Sequence, residues 1–468
     1  MSALVPAAVA AAAAYALVPA NISTVLVFLA AACGIALSGI QRGRLIGITL
    51  LVCSAGVILG MGSRAAVASS LQQAPALPPG QISRLWGVAV GHSERTEDGR
   101  QIAVRVNEIG VENLRTSADL SVILSYDGPE PAAPGSPLQA SITGLQAARG
   151  GGWYASAVEV FVGEPSIAGR VRSGIYYALA GAIERSAGTG APLLKALLLG
   201  VDTDLTARTE ELFRRAGVSH VLALSGMHLA IVAALVVALA LPLFGRRVAL
   251  VSGAVVALAY TLLIGGRPSL VRATIMCEIT LLLILFERPL HLVEVVSAAF
   301  LVHLLAQPTA IAEVSFQLSY LALLGISVIA PGLIREMRPW LPTPVAAPLS
   351  AGVGAQVAGS PVLFGVFGRL YPIGIVAGAV IGPLVAIFMT AGIIGVAVSM
   401  IPVPAIALVS SRLLSAMAAL IEHAAWWFSG APGVAGERLA VPAGFAALAC
   451  LGWGMAVERR RLLWTGRR

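Results

Sequence analysis

The sequence predicts a mostly α-helical polytopic membrane protein of about twelve transmembrane helices, with a small OB-like β-barrel inserted on the extracytoplasmic side. Three observations predict it. First, the 468 residues are 57% hydrophobic and only 12% charged, with a mean hydropathy of +0.87. Soluble domains carry about 25% charged residues, so this surface lacks the charge that water requires and lipid takes its place. Second, apolar runs near the ~20 residues that a helix needs to cross hydrocarbon recur along the chain. Third, one polar region, 64–172, interrupts them and alternates like β-strands.

The opening runs lie at 3–19, 21–40 and 45–62, so residues 1–63 form the first transmembrane unit. They lack the charged leading region of a cleaved signal and read as an anchor. Within 64–172, short alternating runs predict strands at Arg84–Val90, Gln101–Val106, Leu120–Tyr126, Leu138–Ile142 and Tyr154–Val162. Ile102, Val104 and Val106 would face a core while their neighbours face water. Five short strands suit a small closed barrel. Residues 173–216 mix leucines with Glu210, Glu211, Arg214 and Arg215, which predicts amphipathic helices on the membrane surface. Nine further runs fill 217–457, at 219–244, 248–265, 270–286, 290–306, 311–333, 344–367, 373–400, 404–428 and 439–457. A basic tail, 458–468, follows.

The net charge of +8 does not by itself indicate nucleic acid. Its cations sit between apolar runs, at Arg42, Arg44, Arg246, Arg247, Arg335 and Arg338, and in the tail at Arg459, Arg460, Arg461, Arg467 and Arg468. Polytopic proteins retain such loops in the cytoplasm. Alternating twelve spans on that rule places 64–172 outside and both termini inside the cytoplasmic membrane. Arg267, Arg272 and Arg369 alone fall in or beside outer loops. Cys33, Cys53, Cys277 and Cys450 lie in apolar runs without CxxC spacing, which reads as structural thiols. No metal site and no cofactor are expected.

Ionisable and polar groups inside spans mark pathways or partners, because each costs at least about 2.5 kcal/mol to insert. The later spans contain many: His220, Ser225 and His228; Arg272 and Glu278; Glu294 and His303; Glu313, Ser315, Gln317 and Ser319; Gln356; Glu422 and His423. Such residues either line a shared wet interior or bond helix to helix. Pro268, Pro361 and Pro383, each in a Gly-containing segment, predict helix breaks, which membranes tolerate where protein or a cavity satisfies the freed backbone.

One stretch is more specific. Leu212-Phe-Arg-Arg-Ala-Gly-Val-Ser-His-Val-Leu-Ala-Leu-Ser-Gly-Met-His-Leu-Ala230 resembles the segment that opens the channel domain of the ComEC family of competence proteins. Further resemblances follow in order. They are Leu198-Leu-Leu-Gly-Val-Asp202, Pro268-Ser-Leu-Val-Arg272-Ala, Ser315-Phe-Gln-Leu-Ser319, Gln356 to Pro361, and Gly378 to Leu384. The resemblance spans about 190–455. It implies a channel that passes one DNA strand inward during natural transformation, working with an external DNA receptor and a cytoplasmic DNA motor. His220, Ser225, Gly226, His228, Arg272, Ser315, Gln317, Ser319 and Gln356 are then the candidate residues of the DNA path. Partners would be single-stranded DNA, membrane lipid and a second copy of the chain, with the pore within one chain or between two.

This sequence departs from the family at two points. The HxHxDH motif of a C-terminal metallo-β-lactamase-like nuclease is missing, so degradation of the second strand is expected from another protein. Gly378 stands where an Asn is usual.

Two alternatives remain from the residues alone. A solute or lipid transporter could use the same polar interior. An intramembrane hydrolase could be built on His220, Ser225 and His228. Eight residues apart on one helix, the two histidines would be about 80° and ~12 Å apart, which chelates nothing unless Gly226 breaks the helix. The barrel region, residues 81–172, has eight Arg against ten Asp and Glu, so no cation surplus favours phosphate. Its Trp86, Tyr126, Trp153 and Tyr154 are expected mainly in the core. Glu278, Glu294 and Glu313 each need an internal cation such as Arg272, or must be held neutral by burial.

Overall fold

The structure is a computed structural model that describes most of residues 82–453. Stretches including 91–93, 128–133, 148–152, 289–291, 307–309 and 400–403 lie outside the described residues, as do 1–81 and 454–468. The first three expected spans and the basic tail therefore fall outside them.

Six strands form first: β1 (Arg84–Ala89), β2 (Glu94–Thr96), β3 (Gly99–Val111), β4 (Leu114–Tyr126), β5 (Pro137–Ala147) and β6 (Trp153–Val162). Five of them close in the order β1-β3-β4-β6-β5-β1, antiparallel except for the parallel β4–β6 pair. That is a five-stranded Greek-key barrel, the architecture class of OB folds. Alternation places the core. Ile102, Val104 and Val106 are buried while Ala103 and Arg105 face out. Each expected strand is present, and most run longer than the hydrophobic run alone indicated.

The aromatics divide. Tyr126 is a core residue. Trp86 lies outside the barrel with the Arg115 guanidinium 4.3 Å above its ring; β1 buries Leu85, Gly87 and Ala89, so Trp86 necessarily points the other way.

Helices fill the rest. α1 (Ile167–Ala187), α2 (Ala191–Leu199), α3 (Ala207–Arg215) and the short α4 (Ser219–Leu222) precede the bundle. The bundle itself contains α5 (Gly226–Ile264), α6 (Pro268–Leu285), α7 (Leu292–Ala306), α8 (Val314–Val328), α9 (Ala330–Met337), α10 (Thr343–Val362), α11 (Gly374–Val398) and α12 (Pro404–Ser429). A π-helical turn, Leu363–Phe367, extends α10, and two-residue strands β7 (Arg369–Leu370) and β8 (Val434–Ala435) pair beyond it.

Among the described residues three helices, Gly226–Ile264, Thr343–Phe367 and Gly374–Val398, are long and apolar enough to cross a membrane, or four if α8 and α9, bent by 42°, form one span. The first of these folds back on itself. Gly245 sits at φ 77, ψ 172, a conformation that only glycine adopts cheaply. A Cβ on Gly253 would lie 2.5 Å from Val237, so the two arms pack side by side. The turn falls at Arg246-Arg247, where the charge pattern expected a loop between two spans.

Proline behaves differently at its three positions. Pro268 opens α6 rather than breaking a helix, the position where its missing N–H is not needed. Pro361 stands just before the π-helical turn. The break expected at Pro383 is absent: α11 continues through it from Gly374 to Val398.

Small residues set the closest crossing. A Cβ on Gly325 of α8 would lie 2.0 Å from the carbonyl oxygen of Gly354 on α10, so the two backbones touch, as spanning helices do where small residues meet. The helix that follows the barrel, α1, is fastened to α5 through Arg172, whose Nε donates to the carbonyl of Leu263 at 2.9 Å. Burial pushes the Arg172 guanidinium below its usual range.

Candidate functional site

The family-like segment 212–230 folds as the end of α3, a turn, α4, an extended link at Ala223–Ser225 and the start of α5. Its two histidines part at that link. His220 is exposed on α4, whereas His228 is fully buried. Ser225 is the N-cap of α5, and its backbone N–H donates to His228 Nδ1 at 2.8 Å. His228 thus serves one of the orphan donors of a helix start, as the third helical residue does in a capping box. Its Nε2 is buried without a hydrogen-bond partner among the described residues. Gly226 begins α5 exposed, close to Ala273 of α6. Ser269 Oγ donates to the Leu224 carbonyl at 2.8 Å, so the start of α6 is fastened to this link.

One turn further along α6 stands Arg272, 3% exposed. Its Nη2 donates to Ser315 Oγ at 3.1 Å and to Ser319 Oγ at 2.8 Å. The two serines are four apart on α8 and so share a face. The Arg-Ala and Ser-Phe-Gln-Leu-Ser segments, far apart in sequence, meet at this guanidinium. Its Nε and Nη1 are buried without hydrogen-bond partners among the described residues. Ser315 itself is exposed, so the junction reaches the protein surface on that side.

A third helix closes the cluster. His303 of α7, 2% exposed, has Nδ1 3.5 Å from the Tyr320 hydroxyl and its ring 5.1 Å from that of Phe316. Tyr320 was missed in the sequence. Its place directly after Ser319 on a helix was the available signal, since the next residue begins the neighbouring face. Gln317 falls on a different face from the two serines, and Gln356 stands elsewhere, donating from Nε2 to the Tyr371 carbonyl at 2.8 Å. That bond holds α10 to the loop before α11, where Tyr371 also packs against Gly217 of the family-like segment and against Gly433. Tyr371, too, carried no signal in its own surroundings.

The hydrogen bonds that Arg272 makes go to the two serines, and Glu313 acts on the guanidinium electrostatically. Hydroxyls satisfy part of a guanidinium without adding a second buried charge. Among the described residues no group of three or more His, Cys, Asp or Glu is placed to hold a metal ion. Outside the spans, Lys195 of α2 is gripped by Glu184 of α1 and by Asp204, the latter at 2.9 Å. Burial lowers the Lys195 pKa, but the two carboxylates outweigh it and hold the pKa above the usual range.

Fold and junction together define a helical membrane domain carrying a small β-barrel, with a buried cation bonded between two of its helices and a third packed beside them. Residues 197–461 match the family described as competence protein. That is more than half of the chain, and the chain belongs to this family, which gives it a role in DNA uptake during transformation. Neither a curated protein nor a solved structure matches it.

Proposed function

We propose that the bundle is a channel that passes single-stranded DNA across the cytoplasmic membrane during natural transformation. In this reading twelve spans leave both termini cytoplasmic and the barrel outside. An external receptor supplies the DNA, a cytoplasmic motor draws the strand inward, and another protein degrades its complement.

The observation that carries the proposal is the incompletely satisfied guanidinium of Arg272 at the junction of α6, α7 and α8, beside exposed Ser315. A buried cation with two unfilled donors is costly, and phosphate oxygens match guanidinium geometry well. A strand brought to Ser315 as α6 and α8 part would fill those donors and leave them again as it moves on. The Ser225 hydroxyl lies 3.3 Å from His228 Nδ1, but the Ser225 N–H donates to the same lone pair at 2.8 Å and competes with it, which disfavours the hydrolase alternative.

The test uses the full chain in proteoliposomes that trap a fluorescent single-strand reporter, under an inward pull from an enclosed strand-binding protein. Single-stranded oligonucleotide should enter, a duplex of equal length should not, and Arg272→Met should abolish entry. Passage of small solutes without oligonucleotide would replace the channel with a transporter.

A further inference from the structure

The structure assigns an anionic-phospholipid site to the end of α6 opposite the barrel. A groove of about 590 Å³ there is lined by Ile279, Leu282, Leu283, Phe286, Glu287 and Arg288. Its two halves differ chemically. Four apolar side chains form one wall, with Leu282 and Phe286 exposed, and charged residues form the rim.

The rim is held in place by local geometry. The Glu287 N–H bonds to the Ile284 carbonyl and the Arg288 N–H to the Leu283 carbonyl at 2.8 Å, which closes α6 with a Schellman turn. That turn places Glu287 at φ 55, the left-handed position that glycine usually fills. A carboxylate stands there because it reaches across to the hairpin turn of α5. Arg246 Nη1 lies 3.1 Å from Glu287 Oε1, and Arg246 Nη2 donates to the Ile284 carbonyl at 3.0 Å. Arg246 is thus spent as a strut between the turn and the groove.

Arg247 and Arg288 are different. Both are exposed, and neither has an ion-pair partner among the described residues. Arg288 lines the groove, and Arg246, paired with Glu287, brings the hairpin turn with its neighbour Arg247 up to that rim, so arginines outnumber the one carboxylate there. Exposed Leu243 and Phe244 of the hairpin turn continue the apolar surface beside it. An apolar trough ending in unpaired guanidinium groups fits an acyl chain ending in a phosphate, and basic pockets between spanning helices bind anionic headgroups in this way. A polynucleotide would match the cations but leave the four apolar residues unused, so lipid is the occupant the groove favours.

The full-length protein, purified in a neutral detergent, tests this by native mass spectrometry and thermal unfolding with added phosphatidylglycerol or phosphatidylcholine. Phosphatidylglycerol should remain bound and raise the unfolding midpoint, while phosphatidylcholine does neither. Arg247→Gln with Arg288→Gln should weaken phosphatidylglycerol binding roughly thirty-fold, given the attraction of about two exposed cations. The lysine pair, Arg247→Lys with Arg288→Lys, should retain most of it, which separates loss of charge from loss of fold. Equal binding of both lipids, an unchanged response in the glutamine pair, or displacement of the lipid by a single-stranded oligonucleotide would overturn the assignment.

Discussion

Arg272 and Ser319 are 47 positions apart in the chain, yet the guanidinium of the first donates to the hydroxyl of the second at 2.8 Å. This contact, with its partner at Ser315, fastens α6 to α8 and makes a buried charge depend on two neutral acceptors.

The dependence is asymmetric and can be measured. Removing both hydroxyls, with Ser315→Ala and Ser319→Ala, leaves Nη2 as a further unfilled donor on a buried cation and should destabilise the protein by about 2–3 kcal/mol. Arg272→Met removes the charge itself, and the serines can then bond to carbonyls one turn back. It should cost roughly 1 kcal/mol or less. Thermal unfolding in one detergent compares them. If the methionine variant proves the less stable, Arg272 is not the strained member of the cluster.

A second prediction concerns the crossing of α8 and α10. Gly325→Ala would drive its methyl to 2.0 Å from the Gly354 carbonyl, and backbone cannot step aside as a side-chain tip can. Overpacking of this kind costs about 1–3 kcal/mol or more. Gly378→Ala on α11 meets nothing within 4 Å and should leave the unfolding midpoint near the parent value. Similar midpoints for the two variants would mean that the helices separate freely at Gly325.

Lys195 supplies a pH dependence. Its pKa is raised in the fold because Glu184 and Asp204 outweigh the burial that opposes them. A raised pKa means that the folded state holds the proton more tightly than the unfolded state. The stabilisation is therefore complete below the ordinary lysine value of about 10.4 and fades as pH rises through the higher folded value. The parent protein should lose stability in that alkaline window more steeply than Lys195→Met, whose midpoint should be lower at neutral pH. Parallel alkaline limbs in the two proteins would show that the contacts to Glu184 and Asp204 contribute nothing.

Much of this fold was legible before any coordinates, and the reason differs by element. The barrel strands could be read because one face of each is buried and the other wet, so Ile102, Val104 and Val106 alternate with Ala103 and Arg105. The turn of α5 could be located because Arg246 and Arg247 interrupt an apolar run. A helix surrounded by apolar neighbours on all sides carries no such stripe, which is why the link at Ala223–Ser225 was hidden inside a run that seemed continuous from 219. Site residues fared unevenly on the same grounds. Arg272, Ser315 and Ser319 stood out individually as polar groups among apolar ones, but nothing in their spacing said that they touch. Tyr371 was invisible, since its part is played by a backbone carbonyl, by its Cβ and carbonyl against Gly217, and by its ring against Gly433.

The last prediction decides what His228 is for. Its ring is buried and its Nδ1 accepts the Ser225 N–H, which is the service that Glu or Gln performs at the same place in a capping box. His228→Gln can reach the same N–H and should unfold within a degree or two of the parent, whereas His228→Ala leaves that donor unserved and should lose about 1–2 kcal/mol. Oligonucleotide entry into proteoliposomes then separates capping from chemistry. Entry through His228→Gln at the parent rate assigns the residue to the helix start alone. A stable His228→Gln protein that no longer admits the strand would require the imidazole itself, and with it an opening of the α5 start that brings the unpartnered Nε2 to the path.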